Sequence, residues 1–329
     1  VYLSDDGTIL DTFDGTITVT GTGGTNGQFG SQDNFGILIS NQADIRSTGT
    51  TATDAGAITL AGTGGAGEDN NDGVVLENLG TTVTAIAADI AITGTGASHG
   101  QIGSNGNDGV SILTEAEVSS SGSGADAGDI TILATAGAGD SSNYGLRMTG
   151  NGGVAGNEGI DTTDGDITVT ATAATTNTET GTNNIGIGLS NAAKIISRGA
   201  TAGDAGNITL TGTAADADDD NVGILLAGTG VEVTTDQGAV SLTGTGGSNG
   251  EDTSDNNIGI HISAGAAVET AGTGASVGAM VLTGTGGTGF TGNQGILIED
   301  SVTTVNAQDA DITIVATGGS NGSASSDNN

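Results

Sequence analysis

Apolar and polar residues alternate in short bursts along this chain, and the bursts recur. The stretch "TITVTGT" (16–22) puts Ile17 and Val19 on one side and Thr18, Thr20 and Thr22 on the other. That is the period-two pattern of a strand with one buried face. The phrase around it, "GTITVTGTGG" (15–24), has nine copies, among them "GAITLAGTGG" (56–65), "GDITILATAG" (128–137), "GNITLTGTAA" (206–215) and "ADITIVATGG" (310–319). A second phrase lies between them, as in "NFGILIS" (34–40), "NDGVVLE" (71–77) and "NIGIHIS" (257–263), with Asn and Gly in all eight copies. From the first apolar residue of one phrase to that of the other, the step alternates between 20 and 16. Ile17 to Ile37 is 20, Ile58 to Val74 is 16, Ile90 to Val110 is 20 and Ile130 to Leu146 is 16. The alternation starts again at Ile167. Residues 17–166 therefore match 167–311 as a tandem duplication inside one continuous array, 1–329, with no separate second domain.

Stacking the copies makes columns. The first inward column holds Ile in seven copies, with Val240 and Met280 in the others, and the second holds only Val, Leu and Ile. The third, from Gly21 to Ala316, holds only Gly or Ala, as a tight corner requires. A looser apolar position about eight residues after the second phrase (Ile45, Val118, Val154, Ile195, Val268) predicts a third short strand. Antiparallel hairpins would not line identical residues up from repeat to repeat; parallel stacking does. The expected fold is all-β: a parallel β-solenoid, as a right-handed β-helix, of about nine stacked repeats of 32–41 residues with three short strands each. At about 4.8 Å per stacked strand, nine coils make a rod roughly 43 Å long. Two short coils of 16–20 residues per repeat are the alternative arrangement.

The recurrent asparagines fall at one corner: Asn34, Asn71, Asn107, Asn143, Asn184, Asn221, Asn257, Asn293 and Asn329. Their amides are expected to bond from coil to coil as a structural ladder, satisfying turn groups that the sheets leave unpaired. Outward, a threonine column repeats through Thr22, Thr63, Thr95, Thr135, Thr172, Thr213, Thr245, Thr285 and Thr317.

Charge narrows the partners. The net charge is −35, since Arg46, Arg147, Lys194 and Arg198 are the only Lys or Arg residues. Nucleic acid and anionic membrane surfaces are disfavoured, and no run of about 18 apolar residues predicts membrane insertion. There is no Cys, so no disulfide framework. Acidic loops offer oxygen donors of the kind Ca²⁺ prefers: Asp69 and Asp72 in "EDNND", Asp216, Asp218 and Asp220 in "DADDDN", and Asp252 and Asp255 in "EDTSDNN". Asp216, Asp218 and Asp220 have the spacing that opens an EF-hand loop. However, Asn221 stands where its glycine belongs, and Ala227 where its bidentate glutamate belongs. No cofactor is otherwise indicated.

Runs of the form "NxGIxIS…AGxITLTGTGG" resemble the β-helical repeats of large bacterial surface proteins, the filamentous-haemagglutinin-like adhesins and autotransporter passengers. The resemblance covers nearly the whole chain in architecture and repeat style. It implies secretion, an extracellular or cell-surface position, and an adhesive or structural role. The implied partners are further repeats of the same kind, or a host or neighbouring cell surface.

Other functions fit the residues less well. A polysaccharide-active β-helix enzyme needs converging carboxylates with nearby basic and aromatic groups. Here the basic residues are scattered, aromatics are 2 %, and His99 and His261 lack a Ser–Asp neighbourhood. No catalytic residue is expected. The threonine columns resemble the ice-binding face of β-solenoid antifreeze proteins, although Thr also suits any exposed parallel strand. A self-assembling filament subunit is a further alternative. By the alternation, the partner of Ile312 falls at a notional position 332, three beyond Asn329, while Val1 and Leu3 match Ile260 and Ile262. Both ends of the array are thus expected to continue, covalently or by assembly.

Overall fold

The computed structural model describes residues 1–24, 31–97, 104–151, 159–175, 181–199, 205–248, 254–274 and 277–319. Three nine-stranded parallel sheets run its length, and each gains one strand per repeat. One coil per repeat is therefore the arrangement adopted, and two short coils are not. The first sheet follows the Asn-x-Gly corner (Tyr2–Ser4, Ile37–Ser40 and onward to Ile296–Ile298). The middle sheet runs from Ile9–Thr12 to Thr304–Ala307, and the threonine sheet from Ile17–Thr22 to Ile312–Thr317. Helix is confined, among the described residues, to one 3₁₀ turn, Gly124–Asp126.

Register is like on like. Ile130 pairs with Ile90 and Ile167, and Thr135 with Thr95 and Thr172. Leu3 pairs with Ile39, the place that Ile262 holds farther along the same sheet. Parallel sheets ordinarily need helices over both faces. Here the coil closes on itself, so the three inner faces cover one another and the outer faces meet water. Ile58, Ile90, Ile130, Ile167, Ile208 and Val240 are all 0 % exposed in one such column. Only Gly or Ala occupies the corner where the chain turns inward, with Ala134 in register beside Gly94. A Cβ on Gly94 would lie 2.1 Å from the carbonyl oxygen of Gly109.

The third strand is present, with one correction to its residues. Ile45, Val118, Ile195 and Val268 are fully buried in the middle sheet. Val154 lies outside the described residues, and Ile160 fills that column, in register with Val118 and Ile195. The column also contains Val83 and Val233, which the eight-residue spacing passes over. Two turn types explain this. From Ile37 to Ile45 is eight residues, and the turn places Asn41 (φ 53°) and Gln42 (φ 70°) in left-handed conformation. From Val74 to Val83 is nine, turning instead at Asn78 (φ 76°) and Gly80 (φ 83°).

A mid-rod substitution tests this core. Ile208→Ala should cost about 2–5 kcal/mol by transfer loss and cavity formation, whereas Thr209→Ala, one residue along and facing outward, should cost well under 1 kcal/mol. Chemical denaturation of the two variants measures the difference.

Candidate functional site

The asparagine corner forms as a buried ladder. Nδ2 of Asn34 donates to Oδ1 of Asn71 (2.7 Å), Asn71 to Asn107 (2.7 Å), Asn107 to Asn143 (3.2 Å), Asn143 to Asn184 (2.8 Å) and Asn221 to Asn257 (3.0 Å). Asn184 continues through its backbone N–H to Oδ1 of Asn221, and Asn257 likewise to Asn293, both at 3.1 Å. Each rung from Asn71 onward thus also satisfies a main-chain donor where the sheets stop. Asn71 through Asn293 in this column are 0 % exposed; Asn329 lies outside the described residues.

Beside the ladder, the middle residue of the Asn-x-Gly turn is Asp72 in one coil and Asp108 in the next. Asp108 is 1 % exposed and Asp72 6 %. Oδ1 of Asp72 accepts the N–H of Asp108 (2.8 Å), and Oδ1 of Asp108 accepts the N–H of Tyr144 (2.8 Å). Ser111 Oγ lies 3.0 Å from Oδ2 of each aspartate. A hydroxyl carries one hydrogen, so it donates to one carboxylate only. The other contact is a hydrogen bond when that carboxyl holds a proton and donates to Ser111.

Arg147 decides which. Its Nη1 is 3.8 Å from Oδ2 of Asp108, and its guanidinium stands 5.6 Å over the Tyr144 ring. Burial lifts the Asp108 carboxyl to about 6, with Arg147 pulling it back. Burial, and then the charge of Asp108, push Asp72 well above the ordinary carboxylate range. The shared Ser111 hydroxyl and the direction of these shifts favour a proton on Asp72, bonded through Ser111 to Asp108 beside Arg147. The chemistry of this group is the holding of one proton between stacked acids. A cleft of about 300 Å³ lined by Asp69, Asn70, Asn105, Tyr144 and Arg147 opens above.

The calcium candidates are dispersed. Asp69 accepts from Asn105 N–H (2.8 Å) and Gln32 Nε2 (3.1 Å). Asp255 accepts from Thr291 N–H and Oγ1 (2.7 and 2.9 Å). Asp216 is exposed and accepts from Ser248 N–H (2.9 Å). Asp218 is half-buried, Asp220 exposed with φ 56°, and Asp252 outside the described residues. Among the described residues, no three His, Cys, Asp or Glu side chains gather in a group that could hold a metal ion. His261 pairs with Glu299 at 2.9 Å, and His99 is outside the described residues.

All four Lys and Arg residues have a carboxylate within 4 Å: Arg46 with Asp44 (3.7 Å), Arg147 with Asp108, Lys194 with Glu232 (3.3 Å) and Arg198 with Asp161 (2.7 Å). The outward threonine column is in register throughout, exposed in eight coils and half-buried at Thr213. Compared with models of protein families, with curated proteins and with solved structures, the chain matches nothing in any of the three.

A carboxyl whose folded pKa is raised contributes its full stability below its unfolded value near 4 and loses it as the pH climbs through the folded value. For Asp108 that window runs from about 4 to about 6, and for Asp72 it opens near 4 and extends well above the ordinary carboxylate range. Asp72→Asn keeps a donor for Ser111 and an acceptor for Asp108 N–H without needing a proton. Its unfolding free energy should exceed the native chain's by at least about 1 kcal/mol at pH 8 and fall to parity or below near pH 4. A difference independent of pH would place the proton elsewhere.

Proposed function

We propose that this chain is a segment of an extracellular β-solenoid rod, part of a stalk, fibre or surface layer, to which further coils add end to end. Support comes from the two edge coils. Ile312 and Ile314 are 42 % and 50 % exposed, whereas Ile208 and Leu210, their counterparts in the interior of the same columns, are 0 % exposed. At the other edge, Val1 is 47 % exposed, and Leu3 and Leu10 are half-buried where Ile39 and Ile45, their in-register counterparts one coil in, are 0 % exposed. These are inward-facing positions that a further coil would cover, its strands adding to the same parallel sheets in the same register.

The role in this proposal is mechanical. Stacked aliphatic columns and the asparagine ladder stiffen the rod, while carboxylates on its flanks repel other acidic surfaces. The repeat style that resembles bacterial surface proteins supports a secreted location. The occupant of each end is another set of like coils, in the same chain or in a second copy.

Electron microscopy of the isolated chain across a concentration series tests end addition. Rods should lengthen in steps of roughly 43 Å, and Ile314→Lys, which puts a charge on the exposed edge, should return them to single length. Short single rods at every concentration would contradict end addition by copies of the chain.

A further inference from the structure

The three outer faces of the rod differ in charge. On the middle sheet, outward positions include Asp11, Asp44, Glu117, Asp161, Glu232 and Glu269 as well as Arg46 and Lys194. The Asn-x-Gly sheet carries Glu77 and Arg147. The threonine sheet carries no charge at any of its 27 outward strand positions, and 21 of them are threonine. In a chain of net charge −35 this is a segregated, neutral face.

Its remaining positions are apolar or small, and one is bulky near the middle of the rod. Leu133 is 48 % exposed, directly between Thr93 and Thr170 in register. Nine strands at about 4.8 Å, each six residues long at about 3.3 Å, outline a face of roughly 43 by 20 Å. That is on the order of 800 Å², the area each partner gives to a standard stable interface.

We propose that the threonine face is a lateral interface between two copies of this chain, which pairs rods side by side. Electrostatics favours this face: the middle sheet brings carboxylates against carboxylates, the Asn-x-Gly sheet carries Glu77 and Arg147, and the threonine strands carry no charge, the column Asp89, Asp129 and Asp166 lying at their border. Its lattice is self-complementary, because identical residues repeat at every strand and match a second copy in an isologous arrangement. A saccharide partner would call for aromatic platforms, and no outward position of this sheet is aromatic. The β-branched threonines have few rotamers to lose on contact, and Leu133 supplies an apolar anchor. This inference uses the side of the rod and does not depend on what adds at its ends.

Because the remaining charge is repulsive, pairing should strengthen with ionic strength as the screening length shortens from about 10 Å at 0.1 M to about 3 Å at 1 M. Sedimentation and small-angle scattering from 0.05 to 1 M NaCl read this out. The expected result is a salt-promoted dimer of unchanged length and doubled cross-section. Thr170→Asp, at the centre of the face, should weaken it at least tenfold, while Thr84→Asp on the middle sheet leaves it intact. Should the aspartate variant fail to fold, Thr170→Lys is expected to give the same loss. A monomer at every salt concentration, dimers that survive both Thr170 variants, or association that only lengthens the rod would overturn the proposal. Thermal hysteresis from a persistent monomer would also overturn it, and would assign ordered water to the face instead.

Discussion

Each residue in this rod sits on its own counterpart one coil away, and that constraint shapes every column. An interior position must tolerate a copy of itself at about 4.8 Å. Ile, Val and Leu do so by packing, and asparagine does so because its amide is both donor and acceptor. Glycine does so at the corner where a Cβ on Gly94 would meet the Gly109 carbonyl. Charges do not stack on themselves so readily. Lys194 is opposite Glu232 in register, and Arg46 and Arg198 reach neighbouring aspartates. Where acid does stack on acid in the interior, at Asp72 and Asp108, Ser111 and Arg147 stand beside the pair and burial raises both carboxyls.

The same constraint made much of the fold legible from the chain alone. Columns of Ile17-type and Asn34-type residues repeat at fixed steps, so two strands and the ladder could be placed before any coordinates. The middle strand was harder. Its turns alternate between an eight-residue and a nine-residue form, and one insertion before Ile160 breaks the phase, so a single spacing found Ile45 and Val118 but passed over Val83 and Val233. The acid pair was missed for another reason. Asp72 read as a loop oxygen for a cation, and Asp108 drew no notice, because spacing along the chain does not report burial. A signal was present: two successive copies read "NDG" where the later ones have Ile185, Val222 or Ile258 at the same position. Consecutive acids in a column that is otherwise largely apolar mark a place where the stack must compensate.

Compensation of this kind also distributes charge around the rod. Carboxylates collect at corners and on the middle sheet, where N–H groups and basic side chains of adjacent coils meet them. The column Asp89, Asp129 and Asp166 is an exposed example: each carboxylate accepts the next coil's N–H, at 2.9, 2.8 and 2.7 Å. Burial nevertheless raises Asp129. The threonine sheet is left neutral. The rod thus has aliphatic columns inside, acidic flanks and one side whose strands carry no charge.

Each coil is held by its neighbours, and among the described residues the first and last coils pair on one side only. Hydrogen exchange of the dilute, isolated chain measures that directly. Amides of the central strands, such as Ile167–Thr172, should exchange slowest, with protection falling step by step toward Tyr2–Ser4 and Ile312–Thr317. Uniform protection from end to end, or edge strands more protected than the centre, would contradict it.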